Sequence, residues 1–340
     1  MKILAKKDLV EVLKGWSRDY TVLCPNKVSH DEIMFDVFDE VRFTLDYTKP
    51  SMPPKSFLLP HSDTIFTVDE GGYHPVVAEK KTILFGIRAC DMKGILQSMS
   101  FMTVDTDDVF YRTRRENTLA VVMACAGPQN ETCFCTTTKS GPWAETGYDL
   151  QFYDMGENFL VEAGSEAGSA LVNAGKFADA DESGALEQIR SFRQQAQEKI
   201  PQLMQLEEAM DKLANNGVGD DLWEWFGKKC IVCGGCTFVC PTCTCFNVID
   251  RKTDNSSGER LRTWDACLYG GFTKEASGHN PRSTQGLRIK RRHEHKLRYF
   301  QDRDTHGGVC TCVGCGRCSD YCPVHIGTIE VVKAIVEGLS

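Results

Sequence analysis

Two short apolar runs stand out in the first half of the chain, Thr82-Ile83-Leu84-Phe85-Gly86-Ile87 and Leu119-Ala120-Val121-Val122-Met123. Both are too short for an ordinary helix and read as buried strands. Met92 to Met102, between them, has helical spacing, so the three segments predict a βαβ-like unit. Leu4 to Trp16 also has helix-compatible spacing, whereas Pro50, Pro53, Pro54 and Pro60 predict an extended or looped stretch. From Asp181 to Asn216 the chain becomes rich in Gln, Glu and Lys, with Ile189, Phe192, Ile200, Leu203, Leu206, Met210 and Leu213 at helical intervals. Pro201 should break that helix or open a new one. The amphipathic Asp221-Leu222-Trp223-Glu224-Trp225-Phe226 follows and is expected to pack over what comes next.

What comes next changes the picture. Cys230-x2-Cys233-x2-Cys236-x3-Cys240-Pro241 is repeated later as Cys312-x2-Cys315-x2-Cys318-x3-Cys322-Pro323. This is the ligand pattern of bacterial-type ferredoxin [4Fe–4S] sites. Three thiolates on one tight loop hold three corners of a cube, and in two-cluster ferredoxins the fourth cysteine reaches the other cluster. On that rule Cys230, Cys233, Cys236 and Cys322 hold one cluster, and Cys312, Cys315, Cys318 and Cys240 the second. Pro241 and Pro323 fix φ and turn the chain away from each cluster. The plainer readings are structural zinc or buried cysteines; zinc sites pair C-x2-4-C units or add histidines, which fits a four-cysteine run poorly. Gly234, Gly235, Gly314 and Gly316 are expected to let the loop backbone approach the cluster.

Composition bounds the class. A chain of 340 residues is long enough for more than one core, and it carries 17 cysteines without the small size of a disulfide scaffold. Asp8 and Glu11 interrupt any signal-peptide core, no twin-arginine signal is present, and no eighteen-residue apolar run occurs. Reduced, metal-binding cysteines in the cytoplasm are the expectation. The formal charge is −8, and two clusters with deprotonated ligands would take it to about −12, a poor balance for nucleic-acid binding.

Nine cysteines lie outside the motifs. Cys90 follows the first predicted strand, Cys125 the second, and Cys133-Phe134-Cys135 comes soon after. Functional groups gather beyond the carboxyl ends of strands in α/β units, so these four thiols are a candidate third iron–sulfur site. Buried packing thiols and zinc remain open alternatives. Cys243, Cys245 and Cys267 are less legible: they read as sulfurs near a cluster or as alternative ligands. Cys24 and Cys310 read as structural.

The motifs frame a long insertion, residues 246–309, containing the basic run Arg288-Ile289-Lys290-Arg291-Arg292-His293-Glu294-His295-Lys296-Leu297-Arg298. Such a run reads first as a solvated helix face, and otherwise as charge that offsets clusters or steers an acidic partner. His293 and His295, two residues apart, cannot share a helix face as a metal pair and are expected at the surface. There is no G-x-G-x-x-G and no P-loop, so nothing supports a nucleotide or flavin site in this chain alone.

Several segments together resemble one family: Met52-Pro53-Pro54-Lys55, Arg88-Ala89-Cys90-Asp91, Tyr111 to Arg115, Cys133-Phe134-Cys135, Cys240-Pro241-Thr242-Cys243-Thr244-Cys245, Arg262-Thr263-Trp264-Asp265-Ala266-Cys267, Gly278-His279-Asn280 and Cys312-Val313-Gly314-Cys315-Gly316-Arg317-Cys318. The chain resembles the iron–sulfur (beta) subunits of cytosolic NiFe hydrogenases and sulfhydrogenases, and the corresponding iron–sulfur subunit of anaerobic sulfite reductase. The resemblance implies an electron-transfer subunit working between a reductase-like flavoprotein, which carries FAD and uses NAD(P), and a separate catalytic oxidoreductase subunit. Hydrogen turnover, sulfur or sulfite reduction and heterodisulfide-linked chemistry all occur in such assemblies.

The expected architecture is α+β: a mixed α/β domain over residues 1–180, a helical connector over 181–220, and an α-helical, two-cluster ferredoxin-like domain over 221–340. Two rival readings stay open. One is an enzyme that reduces a sulfur compound at its own N-terminal cysteines; the other is the iron–sulfur subunit of a quinone-linked dehydrogenase.

Overall fold

The computed structural model describes residues 1–78, 80–173, 175–299 and 307–339. Twelve strands form two sheets among these residues. The strands are β1 (Lys2–Ala5), β2 (Thr21–Lys27), β3 (Ile33–Val37), β4 (Ser62–Asp69), β5 (Gly72–Pro75), β6 (Thr82–Ile87), β7 (Thr118–Met123), β8 (Leu150–Asp154), β9 (Asn158–Ala163), β10 (Ala178–Asp179), β11 (Phe246–Lys252) and β12 (Gly258–Trp264). The helices are α1 (Leu9–Trp16), α2 (Lys55–Leu58), α3 (Ala89–Thr103), α4 (Val109–Glu116), α5 (Glu166–Asn173), α6 (Glu182–Lys199), α7 (Leu206–Ala214), α8 (Asp220–Lys229), α9 (Gly235–Phe238), α10 (Gln285–Leu297), α11 (Arg317–Asp320) and α12 (Thr328–Glu337).

The large sheet runs β10-β1-β9-β8-β7-β6-β2-β3. Its centre, β2-β6-β7-β8, is parallel, and the outer pairs are antiparallel. The two apolar runs are therefore β6 and β7, paired in parallel, and the predicted helix between them is α3. Strands buried on both faces read as continuous apolar runs, and Ile83, Phe85, Val121 and Val122 are all inaccessible to solvent. The amino terminus differs from expectation. Residues 2–5 add a strand between β9 and β10, and the helix begins only at Leu9. Leu4 is buried either way, which is why its spacing fitted a helix.

The second sheet, β11-β12-β4-β5, joins the two halves of the chain. The hairpin β11–β12 comes from the long insertion, and β12 pairs with β4 of the N-terminal half. Asp63 on β4 lies in a buried network with Arg114 and Arg262, and its Oδ2 is 3.0 Å from Arg262. Residues 300–306 of the insertion lie outside the described residues.

The connector is helical, broken near Pro201 between α6 and α7. α8 then packs along α10, where Gly227 and Gly286 let the backbones meet: a Cβ on Gly227 would lie 2.6 Å from the Gly286 nitrogen. The N-terminal region is thus mixed α/β, and the C-terminal region carries both motifs among helices.

Candidate metal centres

The two motifs adopt one backbone. Val232 and Gly314, two residues into each motif, have φ of 59°. Gly234 and Gly316, just after the second cysteine of each, have φ of 71° and 72° and cap the short helices α9 and α11. That left-handed turn aims three cysteines of each loop at one point.

Each loop receives its fourth thiol from the other motif. Cys230, Cys233, Cys236 and Cys322 line one cavity, walled by Ile289, Arg292 and His293 of α10. Cys312, Cys315, Cys318 and Cys240 line a second, with Phe134, Arg292 and Lys296. The grouping is the crossed one expected from the spacing. Trp223 and Phe226 of α8 are buried in the apolar cluster against which Cys230, Cys236 and Cys322 of the first cavity also pack, with Trp223 stacked on His293 of α10.

A third cavity brings together Cys90, Cys125, Cys133 and Cys135. Cys90 sits in the first turn of α3, directly after β6, and Cys125 follows β7. The parallel pairing of β6 and β7 places both at the same sheet edge. The loop carrying Cys133 and Cys135 is held there by the second motif, because the Phe134 N–H donates to the Gly314 carbonyl at 2.9 Å. The three cavities are comparable in size.

Buried cations sit beside these thiols. Lys49 has a side chain 3% exposed, pairs with Asp320 at 3.0 Å and approaches the Cys133 sulfur at 3.8 Å. Arg88 lines the third cavity, with its guanidinium over the Tyr47 ring and Nη2 donating to the Tyr47 carbonyl. Arg292 stands between the first and second cavities and donates to the Cys236 carbonyl at 3.0 Å. The Nε atoms of Arg88 and Arg292 are buried and, among the described residues, have no hydrogen-bond partner. An orphaned buried donor is costly unless negative charge faces it. Four thiolates around an iron–sulfur core supply that charge, so the donor sets fit [4Fe–4S] groups. Backbone N–H groups point the same way: those of Val232, Ile326 and Thr328 lie 3.4, 3.3 and 3.4 Å from the sulfurs of Cys230, Cys322 and Cys318.

Among known proteins, a family model described as a 4Fe-4S dicluster domain matches residues 229–326. The chain is also 31% identical over 310 residues to sulfhydrogenase 2 subunit beta of Pyrococcus furiosus, covering 89% of each chain. It belongs to the sulfhydrogenase beta-subunit family. No solved structure matches it.

In this family member the basic run is α10, and it is not a solvated face. Arg292, His293, Glu294 and Lys296 are all buried. The expectation of surface histidines is corrected with it. His293 is 1% exposed; burial first, then Arg292, push its pKa down to about 3. Its Nδ1 faces the Ile289 carbonyl at 2.9 Å and so carries the proton, leaving Nε2 to accept from Arg292. His295 is half-buried, and burial followed by Lys296 lowers its pKa to about 4. A run of cations looks solvated in sequence because the sulfurs it faces lie elsewhere in the chain.

Burial raises half of the cavity thiols: Cys236 and Cys315 up to about 11, and Cys90, Cys125, Cys135 and Cys312 upward as well. Without metal these groups are protonated at neutral pH, so metal loading must release protons. Cys24 and Cys310 fit their structural reading: burial pushes them up to about 12 and about 11, and neither lines a cavity described above. Among the described residues, no helix is long and apolar enough to cross a membrane.

Proposed function

We propose that this chain is an electron-transfer subunit that holds three [4Fe–4S] clusters in a line. The observation that carries the reading is contiguity. Arg292 lines both the first and second cavities, and Cys315 lines both the second and third. Each cluster, when bound, supplies one-electron redox chemistry at low potential. The protein's own part is to hold the thiols, keep water away from the inner sites and set local charge. Lys49, Arg88, Arg292 and Lys296 offset the negative charge, and the N–H groups of Val232, Ile326 and Thr328 bond to ligand sulfurs. In this reading residues 1–180 supply the third site, 181–220 connect, and 221–340 hold the two crossed sites.

Supporting a partnered role, the chain's family relative is named as one subunit of a larger protein, and the sequence has no nucleotide-binding fingerprint. We assign the ends of the relay to an FAD- and NAD(P)-binding flavoprotein and to a separate catalytic oxidoreductase subunit, in the cytoplasm and under anaerobic conditions. The test is cluster absorbance in the reconstituted chain. NAD(P)H should bleach it only when the flavoprotein is present; bleaching by NAD(P)H alone would overturn the proposal.

A further inference from the structure

Three thiols take no part in the sites described so far. Cys243, Cys245 and Cys267 face a separate cavity of about 560 Å³, bounded by Phe101 of α3 and Val104 just beyond it, by Phe246 and Phe272, and by Lys296 of α10. Most of its lining is apolar, and its outer edge is open to solvent, since Phe101 and Val104 are 48% and 56% exposed.

The β11–β12 register explains why two of these thiols meet. Phe246 pairs with Trp264, and just beyond it the Asp265 N–H donates to the Cys245 carbonyl at 3.0 Å. This brings Cys267 beside Cys245 on the cavity wall, where a hydrogen bond from the Cys267 thiol favours the Cys245 thiolate. The Cys267 thiol in turn is held protonated, first by that hydrogen bond and then by burial. The Cys267 hydrogen bond, with help from Lys296 and Lys55 against burial, brings the Cys245 pKa down to about 6. Such a pair has one thiolate at neutral pH and one protonated partner beside it, the arrangement of a thiol–disulfide exchange centre. The pair is also wired inward. Cys243, on the same short segment, follows by three residues Cys240, the thiol that completes the second cavity.

We propose that Cys245 and Cys267 form a two-electron thiol–disulfide centre that cleaves the S–S bond of a small, mainly apolar organic disulfide admitted to this cavity. The Cys245 thiolate attacks one sulfur, forming a mixed disulfide and releasing one thiolate, which takes a proton from solvent. Cys267 then attacks the Cys245 sulfur, its proton passes to the second leaving thiolate, and the Cys245–Cys267 disulfide forms. Two electrons from a low-potential one-electron donor and one proton reopen it to the Cys245 thiolate and the Cys267 thiol. Lys296, on the wall shared with the second cavity, stabilises the thiolates as they form. The inference rests on the relay reading only for the supply of those electrons.

The test uses the reconstituted full chain with hydroxyethyl disulfide as probe. Peptide mass spectrometry of Cys267→Ser should find a mixed disulfide on Cys245, and Cys245→Ser should carry none there. Wild type treated with the probe and no reductant should yield an internal Cys245–Cys267 disulfide in a non-reducing peptide map, an outcome that needs no variant to fold. With reduced methyl viologen as donor, both variants should lose at least about tenfold in disulfide reduction, as expected when a nucleophile or its resolving partner is removed. Iron content and the low-temperature EPR spectrum should match wild type in both. Adducts that spare Cys245, or variants that reduce the probe at the wild-type rate, would overturn the proposal. Loss of about four irons per chain from Cys245→Ser would make Cys245 a cluster ligand and also overturn it, while leaving the relay standing.

Discussion

The two cysteine motifs have the same loop in opposite settings. In the first, Ile231 and Val232 are 59% and 38% exposed, and Cys233 is at the surface. In the second, Val313 is 2% exposed, Cys315 8% and Arg317 fully buried. Equal φ angles at matching positions show that the motif itself dictates the loop. The surroundings then decide what the loop does. The first motif presents one cavity to the outside, which in the proposed relay is the end open to a partner. The second is bolted into the N-terminal half and links that cavity to the third.

The bolt is the strongest handle on this difference. Arg317 pairs with Asp91 at 2.6 and 3.1 Å, with both side chains inaccessible, and its Nε donates to the Pro50 carbonyl. Asp91 directly follows Cys90, so one ion pair fixes a motif loop and a third-cavity thiol together. The first motif has Gly235 at the equivalent position and therefore no such anchor. Asp91→Asn leaves a buried unpaired guanidinium and should cost about 3–5 kcal/mol. The melting temperature of the reconstituted protein checks it, and an unchanged value would mean the anchor is dispensable.

Next come the paired glycines. A Cβ on Gly316 would lie 2.2 Å from the Thr132 carbonyl oxygen, which is backbone and cannot yield. A Cβ on Gly234 would lie 2.4 Å from the Tyr269 hydroxyl, which can swing into solvent. Both Gly→Ala changes carry the left-handed cost of about 1–2 kcal/mol. Gly316→Ala should add about 1–3 kcal/mol of overpacking, making it clearly the worse of the two by thermal melting. Tyr269→Phe should rescue part of the Gly234→Ala loss.

Smaller still is the strain at Val232, a β-branched residue held at positive φ. Val232→Gly should relieve about 1–2 kcal/mol of left-handed strain and give back about 0.5–1 kcal/mol in chain entropy, a small net rise in melting temperature. The mildest effect is kinetic. A chelator should remove iron first from the site containing exposed Cys233, with Ile231→Asp accelerating that phase alone. Simultaneous loss from all sites would erase the distinction between the motifs.

Much of this was readable in the sequence because its signals are local. Thr82–Ile87, Leu119–Met123 and the helix between them follow from periodicity. The crossed thiol sets follow from spacing. The candidate third set, Cys90, Cys125, Cys133 and Cys135, followed from the rule that functional groups gather beyond strand ends, and the fold brings the four around one cavity. What stayed hidden depends on partners remote in the chain. The burial of α10 follows from sulfurs contributed by both motifs. The pairing of β12 with β4 joins segments that no local pattern connects. The meeting of Cys245 with Cys267 needs the β11–β12 register; two alternating strands with a turn between them are the signal that would have shown it.

The central claim is a relay of three stations. Iron and acid-labile sulfide per chain, quantified on the anaerobically reconstituted wild type, test it most directly. Three four-thiol sites predict about twelve irons and about twelve sulfides, falling to about eight of each in Cys125→Ser with the two motif sites intact. About eight of each in the wild type, unchanged by Cys125→Ser, would contradict it and leave Cys90, Cys125, Cys133 and Cys135 as packing thiols.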